Sequence, residues 1–179
     1  STCNEALLMH YLLERTTDKK ERAYLINHAL EEFKSTLYRQ AMFAEFEMMI
    51  NEMAERGEVL TAEVLSKAYH DLVALYFGKD MVLDPQIDLE WSRIPHFYYN
   101  FYVYQYATGY SAATALSAKI LAEGESAVKD YIKFLSGGCS TDPISLLKIA
   151  GVDMSTAEPI EQALKVFEGY LDEMEKLAE

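Results

Sequence analysis

Apolar residues recur at intervals of three and four along most of the chain, the spacing that places them on one face of an α-helix. After Asp18, the positions Ala23, Tyr24, Leu25, Leu30, Phe33, Leu37, Met42, Phe43, Phe46, Met49, Ile50 and Met53 hold one stripe until Gly57 supplies a stop. This pattern predicts one long helix or two abutting ones. Before it, Ser1-Thr2-Cys3-Asn4 precedes Leu7, Leu8, Tyr11 and Leu12, which is how a capped helix begins. Thr61-Ala62-Glu63-Val64 has the form of another capped start, with an acid in the first turn, and its stripe ends at Gly78.

Between Lys79 and Pro95 the periodicity lapses into Asp-Pro, Ile-Asp and Arg-Ile-Pro, so a long loop is expected over about 79–95. An aromatic helix is predicted from about Tyr98 to Ala122, followed by a shorter one from Glu125 to Ser136 that ends at Gly137-Gly138. Thr141-Asp142-Pro143 and Glu158-Pro159 each place a proline early in a helix, the second starting a helix that runs to about Leu177. The expected fold is all-α, as a single helical domain over 1–179, although this length could also divide into two small units.

Composition narrows the function. The 16 Lys and Arg stand against 29 Asp and Glu, for a formal net charge of −13, which argues against nucleic-acid and anionic-membrane partners. The apolar runs are short and interrupted, so no membrane span is expected. Two cysteines, Cys3 and Cys139, suggest a reducing, cytoplasmic setting. The first residues lack an initiating Met and a basic leader and resemble a chain already in mid-fold, so a truncated or processed protein is expected.

The segment His96 to Tyr110 contains six of the thirteen tyrosines. On a helix, Tyr99, Tyr102, Tyr106 and Tyr110 fall on one strip, which Ala113 and Ser117 continue. A buried phenol needs a hydrogen-bond partner, so a row of phenols suits a wet concave surface better than a dry core. A phenol is a neutral donor on a stiff stem, able to polarise a carbonyl or meet a developing oxyanion, and His96 offers a second donor. Two other readings stand beside this one. The tyrosines can pack a helix junction or subunit contact, and the shared parity of Tyr98, Tyr102, Tyr104 and Tyr106 also fits a strand.

The residues write no complete metal site. His10, His28, His70 and His96 form no HExxH pair, no CxxC occurs, and His10 with Glu14 supplies only two groups four residues apart. No phosphate-loop lysine pattern and no Gly-x-Ser-x-Gly elbow is present.

Three segments carry a resemblance: Ser1-Thr2-Cys3-Asn4-Glu5-Ala6-Leu7-Leu8, then Tyr38-Arg39-Gln40-Ala41-Met42-Phe43-Ala44-Glu45-Phe46-Glu47, then Pro95 to Gly109. Together they resemble the C-terminal part of the oligoendopeptidase F family, zinc metallopeptidases related to thimet oligopeptidase. The resemblance implies a largely helical cytoplasmic enzyme that hydrolyses oligopeptides in a channel, with zinc held by an HExxH motif and a downstream glutamate. This chain lacks HExxH, so zinc is expected in the full-length protein and none is expected on this chain alone. By the family's spacing the ligating glutamate falls just before Ser1, which leaves Glu5 a supporting role. Arg39 and Glu47 are expected to be paired within the fold.

The resemblance further implies that His96, Tyr99 and Tyr106 are catalytic donors to the scissile carbonyl and its tetrahedral intermediate, with Tyr102 a substrate contact. The spacing after His96 differs from that of thimet oligopeptidase, so the roles do not transfer one to one. The expected partners are an oligopeptide and the missing N-terminal portion of the same protein, and the isolated chain is expected to be inactive. The competing expectation is a non-catalytic helical domain that binds a peptide or protein through its tyrosine-rich face, and self-association of a truncated surface is a third.

Overall fold

The computed structural model describes residues 1–178, and among them the chain forms eight α-helices and no β-strand. The helices are α1 (Thr2–Arg15), α2 (Lys19–Glu32), α3 (Arg39–Glu55), α4 (Ala62–Phe77), α5 (Tyr104–Glu123), α6 (Glu125–Ser136), α7 (Pro143–Ile149) and α8 (Glu158–Ala178). The fold is all-α, as the periodicity predicts. The chain resolves into two compact units, one of Ser1–Lys34 with the residues from Thr108 onward, the other of Ser35–Ala107.

The helix starts follow from the capping residues. Asp18 accepts hydrogen bonds from the backbone N–H groups of Lys20 (3.0 Å) and Glu21 (2.9 Å), Thr61 from Val64 (3.3 Å), and Asp142 from Ser145 (2.9 Å) ahead of Pro143. Each cap satisfies donors that have no partner inside the helix. α4 ends where predicted, at Gly78, whose φ of 78° suits glycine. Between α2 and α3 the stripe continues without a coil residue through a π-helical stretch, Phe33–Tyr38. The stripe is thus helical throughout 19–55, with α2 and α3 joined by a locally widened turn.

In the first unit, α5 contributes a buried small-residue face of Ala112, Ala113 and Ala115 with Leu116, packed with Cys3, Tyr131, Ala150 and Val152. Two of its buried hydroxyls bond back to their own helix, Thr114 Oγ1 to the Tyr110 carbonyl (2.9 Å) and Ser117 Oγ to the Thr114 carbonyl (2.8 Å). Directly after α2, Phe33, 2 % exposed, lies with its ring 5.3 Å from Phe167 of α8, and Arg22 of α2 forms an ion pair with Glu173 of α8. Arg22 also donates to the Leu13 carbonyl (2.5 Å), tying α1 to the same corner. A cleft of about 710 Å³ in this unit is lined by α1, α2, α5 and α8, including Leu8, Leu12, Leu25 and Tyr170.

The second unit packs Met42, Phe43 and Phe46 of α3 against Ala68, Tyr69, Leu72 and Val73 of α4, with Ile94 and Val103 closing the cluster. Phe46 is fully buried and meets the Tyr69 ring edge-on at 5.2 Å. Burying one such side chain contributes about 2–3 kcal/mol. Within 79–95 the chain winds into a 3-10 helix, Pro85–Arg93, and a second one follows at Pro95–Tyr98.

Candidate active site

Two anchors in the second unit set the shape of the aromatic segment. Phe97 packs against Phe43 (5.6 Å between ring centroids) and Phe46 (5.2 Å), and Val103 is completely buried. The five residues between them turn away from the core, leaving Tyr98, Tyr99, Phe101 and Tyr102 exposed. The helix therefore starts at Tyr104 and not at Tyr98 as the periodicity predicts. Asn100 (φ 48°) and Phe101 (φ 58°) both adopt the left-handed conformation, which no α-helix accommodates. Phe101 N–H is taken by the buried carboxylate of Glu47 at 2.9 Å instead of by a helical carbonyl.

This turn brings His96 against Tyr102 and Tyr106. His96 Nε2 lies 3.2 Å from the Tyr106 hydroxyl, its ring stacks on Tyr102 at 6.1 Å and 13°, and Tyr106 stands edge-on to both neighbours. Tyr102 is 44 % and Tyr106 38 % exposed, so the three groups lie together at an accessible surface and are not sealed in a dry interior. Tyr99 is 62 % exposed beside the turn. Tyr110, the fourth position of the predicted strip, belongs to the first unit, where its ring meets Phe33 edge-on at 4.9 Å. Burial pushes the Tyr110 phenol well above the usual tyrosine range, with Glu32 adding to the effect, so it stays protonated.

Behind the site lies a carboxylate-centred network that the linear spacing does not reveal. Glu90, 8 % exposed on the Pro85–Arg93 helix, accepts from Arg39 Nη2 (2.5 Å), from Tyr69 Oη (2.6 Å) and from Arg93. Burial and then the hydrogen bond to Glu90 push the Tyr69 phenol far above its ordinary value. The network pins the Pro85–Arg93 helix to α3 and α4, two residues before Pro95-His96. Arg39 and Glu47 are indeed paired within the fold, though not with each other: Arg39 holds Glu90, and Glu47 holds the backbone of Phe101.

Among the described residues no group of three or more His, Cys, Asp or Glu side chains comes together to hold a metal ion. His10 Nε2 and Glu14 Oε1 approach to 3.3 Å as an exposed pair on α1. No helix among the described residues is long and apolar enough to cross a membrane. The cleft of the first unit is lined by none of His96, Tyr99, Tyr102 or Tyr106.

The chain belongs to peptidase family M3, whose sequence profile matches residues 1–166. It is 61 % identical to oligopeptidase PepF of Bacillus subtilis over 99 % of its own length and 26 % of that protein. It is 45 % identical to the chromosomal oligoendopeptidase F of Lactococcus lactis, covering 30 % of it. The crystal structure of oligoendopeptidase-F from Enterococcus faecium superimposes with a TM-score of 0.96 at 49 % identity, over 99 % of this chain and 34 % of that one. The chain thus spans between a quarter and about a third of the length of these relatives.

Proposed function

We propose that this chain is the C-terminal portion of a cytoplasmic oligoendopeptidase and that its second unit supplies donors to the peptide bond being cleaved. The observation that carries the reading is the accessible His96–Tyr106 hydrogen bond with Tyr102 stacked on the imidazole. With the imidazole proton on Nε2, His96 donates to the Tyr106 oxygen, which leaves the Tyr106 O–H free to donate outward. Such a chain polarises its terminal donor, so Tyr106 is aimed at the carbonyl oxygen that becomes an oxyanion when water attacks. Tyr99 is the second donor, and Tyr102 contacts substrate through its exposed ring.

The attacking water is prepared elsewhere. This chain has no HExxH motif, so the two histidine ligands that the family resemblance implies for zinc come from the part of the protein outside it. The isolated chain accordingly hydrolyses no peptide, because donors alone create no nucleophile.

The test uses the full-length protein and an internally quenched oligopeptide. Tyr106→Phe lowers kcat by about a hundredfold or more, the usual consequence of losing one oxyanion donor, and changes KM little. Tyr102→Ala raises KM more than it lowers kcat. Wild-type kcat for Tyr106→Phe overturns the assignment and favours a tyrosine-rich face that only binds.

A further inference from the structure

Between Phe97, partly buried against the core, and the fully buried Val103, five residues leave the core, and an interior group meets them: Oε1 of Glu47, 2.9 Å from Phe101 N–H. Glu47 is only 3 % exposed, sits between the fully buried Phe46 and the exposed Met48 on α3, and is held in register by Asn51, whose Nδ2 donates to the Glu47 carbonyl at 2.7 Å. A carboxylate is costly to bury, and in this unit the other buried carboxylate, Glu90, is met by two arginines and a phenol. Glu47 spends its interior position on a backbone amide.

That amide belongs to a residue in a conformation that side chains other than those of glycine and asparagine avoid. Phe101 has a φ of 58°, directly after Asn100 at 48°. Phenylalanine has no local means of stabilising such a turn, and its ring, 52 % exposed, brings little packing to compensate. The hydrogen bond that Phe101 N–H donates to Glu47 over-determines the turn. The next residue is Tyr102, whose ring lies on His96, and His96 in turn contacts Tyr106.

We infer that Glu47 is a positioning residue of the active site: its buried carboxylate holds the left-handed Asn100–Phe101 turn through the Phe101 amide and thereby sets Tyr102 and His96 in line with Tyr106. It touches neither substrate nor reacting atoms. The inference rests on the proposed role of the histidine–tyrosine cluster and adds a residue more than forty positions away in sequence to its machinery.

The experiment compares variants of the full-length peptidase by steady-state kinetics and by hydrogen exchange of a peptide covering 97–103. Glu47→Leu keeps the bulk and removes the acceptor. It is expected to lower kcat by roughly 10- to 100-fold per folded molecule, the scale of a misplacement of about 1 Å, and to speed exchange of the Phe101 amide. Glu47→Gln retains a carbonyl oxygen and keeps kcat within about threefold of wild type, since a neutral acceptor bonds the amide more weakly. Adding Phe101→Gly to Glu47→Leu restores a large part of kcat, because glycine adopts positive φ without help and general core damage is not repaired by an exposed glycine. Asn100→Val strains the same turn from the solvent side and reproduces the kcat loss with Glu47 intact, which covers the case in which Glu47→Leu does not fold. Wild-type kcat for Glu47→Leu, or for Asn100→Val where the former is insoluble, overturns the inference, as does failure of Phe101→Gly to rescue. Tyr106→Phe in parallel separates the two claims: if it abolishes turnover while Glu47→Leu does not, Glu47 is excluded and the donor assignment stands. If it has no effect while the Glu47 variants alter exchange at Phe101, the turn is held as stated and the donor assignment falls.

Discussion

Glu90→Ala offers a direct test of how the second unit holds its site in place. The Glu90 carboxylate accepts from a fully buried phenol, Tyr69, and from two guanidinium groups of different exposure, Arg39 at 36 % and Arg93 at 69 %. Removing it orphans the Tyr69 hydroxyl where water does not reach, which costs about 2 kcal/mol. Arg39 is partly exposed and regains solvent, so losing its partner costs about 1 kcal/mol, and the mostly exposed Arg93 adds little. The expected total is about 3 kcal/mol, concentrated in the second unit. Hydrogen exchange of peptides covering 62–77 and 85–93 in the full-length protein reads this loss locally. Tyr69→Phe alone removes one charge-assisted hydrogen bond and costs about 1.5 kcal/mol. The double variant is no less stable than Glu90→Ala, because the orphaned phenol has gone with its hydroxyl. A Glu90→Ala loss under about 1 kcal/mol, or strictly additive single effects, would show that the three donors do not depend on this carboxylate.

Two further outcomes follow from other parts of the chain. The Tyr76 hydroxyl donates to Glu45 Oε2 at 2.8 Å, and burial with that acceptor pushes its phenol up to about 12. An unfolded tyrosine ionises near pH 10, so the folded state binds the proton more tightly: this stabilisation is complete below about pH 10 and is lost as pH rises through about 12. Thermal melts from pH 9 upward therefore fall less steeply for Tyr76→Phe than for wild type, and parallel curves refute the coupling. In the first unit, Gly151 has a φ of 82°, and a Cβ there meets the Lys119 side chain at 2.7 Å. The lysine tip can move aside but the backbone cannot, so Gly151→Ala costs about 1 kcal/mol and Gly151→Asn, whose side chain tolerates this conformation, costs less, as denaturant titration will show.

The helical framework was legible in the sequence because its causes are local. Asp18, Thr61 and Asp142 cap helices within three residues of themselves, Gly78 stops one where it stands, and the apolar stripes need only a period. The cluster of His96, Tyr102 and Tyr106 was legible in part: the crowding of these residue types is plain in the sequence, but the reason for their meeting is not a helical period. A continuous helix from Tyr98 puts Tyr99, Tyr102, Tyr106 and Tyr110 on one strip, whereas the structure breaks the helix at Asn100–Phe101 and brings Tyr102 to His96 by a turn.

Local sequence determined which residues are helical, where most helices start and stop, and that a dense set of phenols beside a histidine must be kept wet or bonded. Tertiary structure alone decided that Glu47 captures an amide 54 residues away and that Glu90 gathers an arginine 51 residues before it and a tyrosine 21 before it. The physical reason is that a buried carboxylate takes whichever donors the packing delivers, and burial is a property of the assembled unit and not of neighbours along the chain.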